Sequence, residues 1–183
     1  MSSGRIEVII GCMFSGKSTE IIRLIHRYKK INKKLLILNN SLDQRYGECV
    51  ISTHDKQQVA CKSLDSLIPI MDTDDYTTSE VIIIEEAQFF KDLFEFATKS
   101  ADLHNKIVIV SGLDGDYKRQ PFGDILKLIP HAEVVKKLSA LCILCNNGDE
   151  ANFTQRLVNS DELELIGTNE YRPTCRYHYL HIN

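Results

Sequence analysis

Residues 11–18, GCMFSGKS, constrain the fold more than any other part of the chain. They fit the pattern G-x-x-x-x-G-K-[ST] at every position, and they stand between an apolar run at 6–10 and a helical pattern at 18–30. The glycines allow successive backbone N–H groups to converge on phosphate oxygens, and the start of a helix adds positive potential. We therefore predict a loop that binds a nucleoside triphosphate, with Lys17 at the β- and γ-phosphates and the Ser18 hydroxyl at Mg²⁺.

The rest of the N-terminal region alternates short apolar runs with helical patterns, which is typical of a parallel sheet covered by helices on both faces. We therefore predict an α/β fold of the P-loop NTPase type. A short helix is expected to end near Pro69. The predicted strands are 6–10, 35–38, 81–84 and 107–110, the main predicted helices are 18–30 and 90–104, and a further apolar segment covers 132–138.

Composition limits the partners that the chain can have. It has 183 residues, of which 22 are basic and 25 acidic, so the net charge is -3 and a large nucleic-acid-binding face is not expected. No apolar stretch reaches the roughly 20 residues of a membrane span, and the N-terminus does not resemble a signal peptide. We therefore expect a cytoplasmic protein with no membrane partner, in which the six cysteines are thiols or metal ligands rather than disulfides.

Two short motifs near the C-terminus predict a zinc site. Cys142 and Cys145 form a C-x-x-C pair, and Cys175 and His178 form a C-x-x-H pair. Three thiolates and one imidazole match a closed tetrahedral zinc site of structural type, although His181 is an alternative fourth ligand. The helical patterns also stop near residue 140, so we predict a nucleotide-binding domain at 1–140 and a small zinc-binding domain at 141–183, which the resemblance described next implies to be a lasso.

Read together, these and other segments resemble the type II thymidine kinases, the cellular and poxviral kind with a zinc-held lasso. The chain departs from the family pattern at Cys12, Glu85, Tyr117 and His178, where Pro, Asp, Phe and Cys are usual, and its lasso segment 167–171 is one residue shorter than usual. The nine motifs that carry the resemblance are GCMFSGKSTE (11–20), DQRY (43–46), THD (53–55), EEAQFF (85–90), LDGDYKRQPFG (113–123), CILC (142–145), FTQR (153–156), LELIG (163–167) and YRPTCRYHY (171–179).

The resemblance implies a reaction and a set of partners. It implies transfer of the γ-phosphoryl group of ATP to the 5′-hydroxyl of thymidine, with Mg²⁺ as cofactor and structural Zn²⁺. It also implies a homotetramer and inhibition by thymidine triphosphate.

Residue roles are carried over from the family position by position. The resemblance implies that Glu86 is the general base, that Glu85 and Ser18 hold the Mg²⁺, and that Arg45 and Lys17 lie at the transferring phosphoryl group. ATP is expected at Gly11, Cys12, Met13, Phe14, Ser15, Gly16, Lys17 and Ser18. The nucleoside is expected at Met13, Asp43, Phe89, Leu113, Tyr117, Thr154, Leu163, Glu164, Leu165, Ile166, Gly167 and Tyr171.

Two other functions are open to a chain with these motifs. The first is a P-loop ATPase whose zinc ribbon binds nucleic acid or a partner protein, but residues 141–183 mix acidic side chains among scattered basic ones. The second is an inactive relative that serves as a scaffold, against which the intact Lys17, Ser18, Glu85 and Glu86 argue.

Overall fold

The computed structural model describes residues 3–43, 50–52, 58–158 and 170–182. Their elements, in chain order, are β1 (Arg5–Gly11), α1 (Lys17–Lys30), β2 (Leu35–Asn40), β3 (Val50–Ser52), β4 (Gln58–Ala60), β5 (Lys62–Leu64), α2 (Asp74–Thr78), β6 (Val81–Ile84), α3 (Leu93–Asp102), β7 (Ile107–Gly112), β8 (Val134–Leu138), β9 (Ala140–Leu141), β10 (Glu150–Ala151), β11 (Phe153–Arg156), β12 (Tyr171–Thr174) and α4 (Arg176–His181). None of the helices in these ranges is long and apolar enough to cross a membrane.

Six strands form one sheet in the order β5-β2-β6-β7-β1-β8, and every neighbouring pair in it is parallel. At its centre, Val108 of β7 lies in register with Ile6 of β1 on one side and Ile82 of β6 on the other. Because parallel strands end at one edge of the sheet, the loops that follow β1, β6 and β7 meet there. The topology confirms the predicted parallel sheet.

Helices cover both faces of the sheet, and the alternation of side chains in β6 makes this plain. Ile82 and Ile84 belong to a core with Phe96 of α3, whereas Ile83 belongs to a second core with Ile21 of α1. All four residues of β6 are fully buried, which is why the strand is apolar throughout rather than alternating.

Two helix predictions need correction. Helix α3 begins at Leu93 rather than at Phe90, because a single 3₁₀ turn, Ala87–Phe89, intervenes after Glu86. The segment around Pro69 is a 3₁₀ helix, Ile68–Asp72, in which Pro69 occupies the first turn rather than the end. Proline suits that place because its fixed φ is helical and its missing N–H would have no partner there.

Beyond residue 140 the described strands form two small antiparallel pairs. Strand β9 pairs with β10, β11 pairs with β12, and α4 follows directly. The division into domains at 140/141 stays a prediction. Residues 162–166, ELELI, alternate acidic and apolar side chains, a pattern that predicts a short strand, and they lie outside the described residues.

Candidate active site

The loop after β1 has the backbone that a phosphate site requires. Gly16 has φ 83° and stands directly before α1, a conformation that side-chain-bearing residues seldom adopt. Gly11 is enclosed, since a Cβ atom there would lie 2.4 Å from the carbonyl oxygen of Leu138. The Ser15 hydroxyl is buried with no hydrogen-bond partner among the described residues. The loop therefore has a tight, glycine-dependent turn, which is the backbone shape typical of a phosphate-binding loop.

Lys17 and Ser18 open helix α1 on the side of this loop. The Lys17 Nζ atom donates to the carbonyl oxygens of Gly11 at 3.2 Å and Cys12 at 2.8 Å, so the ammonium folds back across the loop. Ser18 Oγ donates to Glu85 Oε1 at 2.6 Å. The first turn of α1 is thereby joined to the end of β6, although β7 separates β6 from β1 in the sheet.

Glu85 and Glu86 differ in environment although they are neighbours in sequence. Glu85 is 4% exposed, and its backbone N–H donates to Leu38 O at 2.9 Å. Burial raises the pKa of Glu85, and the adjacent Glu86 charge raises it further, while the Ser18 hydroxyl opposes both. Glu86 is half-buried, and its backbone has the left-handed conformation, with φ 49°. The chain therefore turns sharply at Glu86, and the two carboxylates point in different directions.

The surroundings of Glu85 fit a magnesium ion. Its Oε2 atom is buried and has no hydrogen-bond partner among the described residues, and its Oε1 atom meets the Ser18 hydroxyl. A buried carboxylate is costly without a compensating positive charge. Carboxylate and hydroxyl oxygens beside a phosphate-binding loop are donors that Mg²⁺ takes, so Ser18 and Glu85 suit the ion together.

Gln88 is a buried polar residue that holds Glu86 in place. Its Nε2 atom donates to Glu86 Oε2 at 2.6 Å, and its Oε1 atom accepts from the backbone N–H of Leu113 at 3.0 Å. Two glycines make room for it, because a Cβ atom on Gly112 would lie 2.4 Å from Gln88 Oε1 and one on Gly123 would lie 2.2 Å from Gln88 O. The carboxylate is therefore tied to the loop that follows β7.

Aromatic side chains gather at the same edge of the sheet. Phe89 meets Phe122 edge to face, with ring centroids 5.4 Å apart. The Arg156 guanidinium lies 3.7 Å above the Tyr117 ring and donates through Nη2 to the Tyr171 hydroxyl at 2.8 Å. Strands β11 and β12 are thereby packed against the loop after β7, which agrees with an aromatic pocket.

The four predicted zinc ligands come together. His178 Nδ1 lies 3.3 Å from the Sγ atoms of Cys142, Cys145 and Cys175, and the Sγ atoms of Cys145 and Cys175 are 3.7 Å apart. Zinc–sulfur bonds of about 2.3 Å in a tetrahedron place two sulfur atoms about 3.7 Å apart, so the donor set fits Zn²⁺. His181 instead packs its ring against Tyr177, with centroids 4.7 Å apart.

The thiols of this cluster influence one another. Burial alone would raise the pKa of Cys142, but hydrogen bonds from backbone groups and from His178 outweigh it and lower the pKa to about 6. The pKa of Cys145 is raised, first by burial and then by hydrogen bonding to its neighbours. Thiols this close compete for one negative charge, and a bound dication removes that competition.

Comparison with known proteins separates the thymidine kinase resemblance from the ATPase alternative. Residues 4–179 match the family described as thymidine kinase.

The chain belongs to the thymidine kinase family.

Proteins named thymidine kinase in viruses and plants are similar over almost the whole chain. That of Yaba monkey tumor virus is 45% identical over 182 residues, 99% of this chain and 97% of that protein. That of vaccinia virus is 43% identical over 181 residues, 98% of this chain and 99% of its own. Thymidine kinase a of Arabidopsis thaliana is 44% identical over 97% of this chain and 76% of its own. The resemblance inferred from nine motifs is confirmed, and the ATPase alternative is disfavoured.

A solved structure supports the fold alone. The flagellar accessory protein FlaH from Methanocaldococcus jannaschii matches with a TM-score of 0.51 at 17% sequence identity, covering 83% of this chain and 77% of that one.

The described residues that the thymidine kinase resemblance selected have contacts in several places, and their assignment to one site stays a prediction. Met13 donates its N–H to Thr154 Oγ1 at 3.0 Å, and Asp43 accepts from Asn39 Nδ2 at 3.2 Å. Phe89, Leu113, Tyr117 and Tyr171 have the contacts given above. The predictions for Arg45, Leu163, Glu164, Leu165, Ile166 and Gly167 fall on residues outside the described ranges.

Sequence reasoning missed Gln88 and Arg156. Both stand inside motifs that resemble the thymidine kinase family, EEAQFF and FTQR, yet neither was assigned to the site. For Gln88 the signal was available, because a lone amide among apolar residues at a strand end must find polar partners when it is buried. For Arg156 the local sequence carried no such signal, because its partners Tyr117 and Tyr171 come from distant segments.

Proposed function

We propose that this protein transfers the γ-phosphoryl group of ATP to the 5′-hydroxyl of thymidine, giving ADP and thymidine monophosphate. The observation that carries the proposal is the pair Glu85 and Glu86 at the end of β6. Glu85 is buried against Ser18 of the phosphate loop, and the left-handed turn at Glu86 gives the second carboxylate a different direction. One strand end thus serves both a metal and an acceptor hydroxyl.

At the ATP end, the phosphates lie in the loop formed by residues 11–18. Backbone N–H groups and Lys17 contact the phosphate oxygens, and Lys17 gives up its present bonds to Gly11 O and Cys12 O to do so. Ser18 and Glu85 hold the Mg²⁺. When bound, this ion neutralises charge on the β- and γ-phosphates.

At the acceptor end, Glu86 takes the proton of the 5′-hydroxyl as the oxygen attacks the γ-phosphorus and the bond to the leaving ADP oxygen breaks. Gln88 keeps the carboxylate in position through its 2.6 Å hydrogen bond. Arg45 next to the transferring phosphoryl group stays a prediction from the resemblance.

The nucleoside itself is uncharged, so its affinity rests on packing and a few polar contacts in an enclosed pocket. Phe89, with Phe122 behind it, and Tyr117, with Arg156 above it, provide rigid aromatic surfaces. Met13, Leu113, Thr154 and Tyr171 complete the wall, Asp43 lies toward the sugar or the metal, and residues 163–167 are predicted to grip the base edge.

Zinc at the cysteine cluster has a structural role in this proposal. Cys142, Cys145, Cys175 and His178 supply four ligands, which leaves no open position for a substrate. A homotetramer, inhibition by thymidine triphosphate and a cytoplasmic location stay predictions from the family.

A transfer assay tests the reaction, using ATP, Mg²⁺ and labelled thymidine with the parent and Glu86→Gln. The parent forms thymidine monophosphate, and kcat of Glu86→Gln falls by about 10²–10⁴-fold because the general base is lost. Glu80→Gln is the matched control, since Glu80 lies at the opposite end of the same strand and pairs with Lys33 at the surface. Equal kcat for the parent and Glu86→Gln contradicts the role of Glu86, and no product from the parent contradicts the reaction.

A further inference from the structure

The phosphate loop and the cysteine cluster share one small core. Cys12, the second residue of the loop, is 2% exposed and packs in this core with the ligand Cys142. The other members are Phe14, Ala140, Leu144, Cys145, Ala151 and Cys175. Two loop residues and three of the four proposed zinc ligands therefore contribute to a single apolar cluster.

Hydrogen bonds join the same two regions at consecutive loop residues. Cys12 Sγ donates to the carbonyl oxygen of Ala151 at 3.2 Å, and the Met13 N–H donates to Thr154 Oγ1 at 3.0 Å. Thr154 is 5% exposed, and Ala151 is fully buried. The beginning of the loop is thus fastened to β10 and β11 rather than to its own sheet alone.

These anchor points lie beside the cysteine ligands. Ala151 of β10 pairs with Ala140 of β9, and β9 is followed directly by Cys142. Thr154 of β11 pairs with Pro173 of β12, and β12 is followed directly by Cys175. Each pair of strands is short, so its position depends on what holds its ends. A metal that joins Cys142 to Cys175 holds both.

We propose that Cys12 and Thr154 are positioning residues, through which the zinc-held segment keeps the phosphate loop in its nucleotide-binding conformation. The loop contains a left-handed residue at Phe14, φ 64°, as well as at Gly16, so it needs outside contacts to stay in this conformation. Preorganisation of a loop strengthens binding because less ordering remains to be done. Zinc loading therefore strengthens ATP binding as well as nucleoside binding. The identity of the nucleotide rests on the proposed function.

The first test replaces the acceptor of the Met13 N–H in zinc-loaded protein. Thr154→Val keeps the shape but loses the hydroxyl, whereas Thr154→Ser keeps the hydroxyl. We expect Thr154→Val to weaken binding of a fluorescent ATP analogue by about three- to tenfold, because one hydrogen bond is lost. KM for ATP should rise by a similar factor. The affinity of Thr154→Ser for the ATP analogue should stay close to that of the parent. Unchanged affinity in Thr154→Val, or a rise in KM for thymidine alone, overturns the proposal.

The second test measures access to the Cys12 thiol with and without zinc. Each protein is treated with N-ethylmaleimide before and after chelation, and modification is quantified by mass spectrometry on the tryptic peptide 6–17, in which Cys12 is the only cysteine. We expect Cys12 to be protected in zinc-loaded protein and to react as zinc is lost, together with a loss of affinity for the ATP analogue. Cys61, which is partly exposed next to edge strand β5, is the internal control, because general unfolding would increase its rate of modification as well.

The outcomes separate this proposal from the proposed function. If Cys12 stays protected and the analogue binds unchanged after zinc is removed, the coupling is wrong. If the whole sheet unfolds on chelation, the comparison of Thr154→Val with Thr154→Ser in zinc-loaded protein decides by itself whether the coupling exists. Binding of the ATP analogue and modification of Cys12 do not require phosphoryl transfer, so a parent that forms no thymidine monophosphate refutes the function and leaves these two measurements valid.

Discussion

Replacing Gln88 by methionine tests how the proposed general base is held. Methionine has a similar length and fills the same space, but it can neither donate to Glu86 nor accept from Leu113. Gln88 is 3% exposed, and Gly112 and Gly123 pack closely against it, so its amide is tightly enclosed. The variant therefore removes two hydrogen bonds with little change in packing.

The magnitude follows from the two bonds separately. The 2.6 Å bond to the Glu86 carboxylate is charge-assisted, and such bonds contribute about 1.5–3 kcal/mol, which corresponds to about 10- to 150-fold in rate. The 3.0 Å bond from Leu113 leaves a backbone N–H unpaired, which costs about 1–3 kcal/mol of stability. For a chain of this size, each kcal/mol lowers the melting temperature by about 2–4 °C.

Steady-state kinetics and thermal unfolding check this expectation together. We expect kcat of Gln88→Met to fall by about 10- to 150-fold, KM for thymidine to change less than kcat, and the melting temperature to fall by about 2–12 °C. Gln120→Met is the matched control, because Gln120 is exposed and its side chain is bonded only weakly, to Lys118 O at 3.5 Å. A lower melting temperature with kcat unchanged refutes the positioning of Glu86 by Gln88, and no change in either refutes both parts of the reasoning.

Three further predictions concern Glu85, the zinc site and Glu20. Glu85→Gln removes a buried charge, so without Mg²⁺ its melting temperature should be about 2–4 °C above that of the parent. In the transfer assay its kcat should be lower than that of the parent, and added Mg²⁺ should not restore it. A lower melting temperature contradicts the burial penalty. Cys175→Ala should reduce bound zinc, measured by elemental analysis, from about one per chain to near zero, and Cys61→Ala should retain it. The Arg23 hydrogen bonds, and then Lys136, hold the pKa of Glu20 at about 2, below its ordinary 4.5. Folding therefore favours ionised Glu20, so its stabilisation is present above about pH 4.5 and is lost toward pH 2. The free energy of unfolding of Glu20→Gln, from urea titration, should be lower than that of the parent at pH 7 by no more than about 1 kcal/mol for a surface pair, and the difference should vanish in acid.

Much of the architecture could be read from the sequence because its signals are local. Four consecutive apolar residues at 81–84 required a strand covered on both faces, and the structure buries all four. The glycines of the phosphate loop stand between a strand and a helix, and the structure has the tight turn there. The start of α3 was predicted too early, because Phe90 is as apolar as the helical residues but is an extended residue that directly follows a 3₁₀ turn.

The residues of the candidate site also differ in whether local sequence patterns could identify them. The spacing of C-x-x-C and C-x-x-H was enough to select four residues that meet in space, since each pair needs only one tight turn. Gln88 was missed although a buried amide at a strand end needs polar partners, whereas Arg156 was missed because its partners Tyr117 and Tyr171 come from distant segments. Arg156 lies over Tyr117 only because strand β11 packs against the loop after β7.

The sequence by itself determined the phosphate loop, the parallel sheet and the metal-ligand set, because these depend on residue type and spacing within a few positions. The tertiary structure decided which groups act on one another. It turned Glu86 away from Glu85 through one left-handed residue, joined Ser18 to Glu85 across an intervening strand, and fastened Met13 to Thr154. Such contacts depend on the packing of segments far apart in the chain, and no local pattern records them.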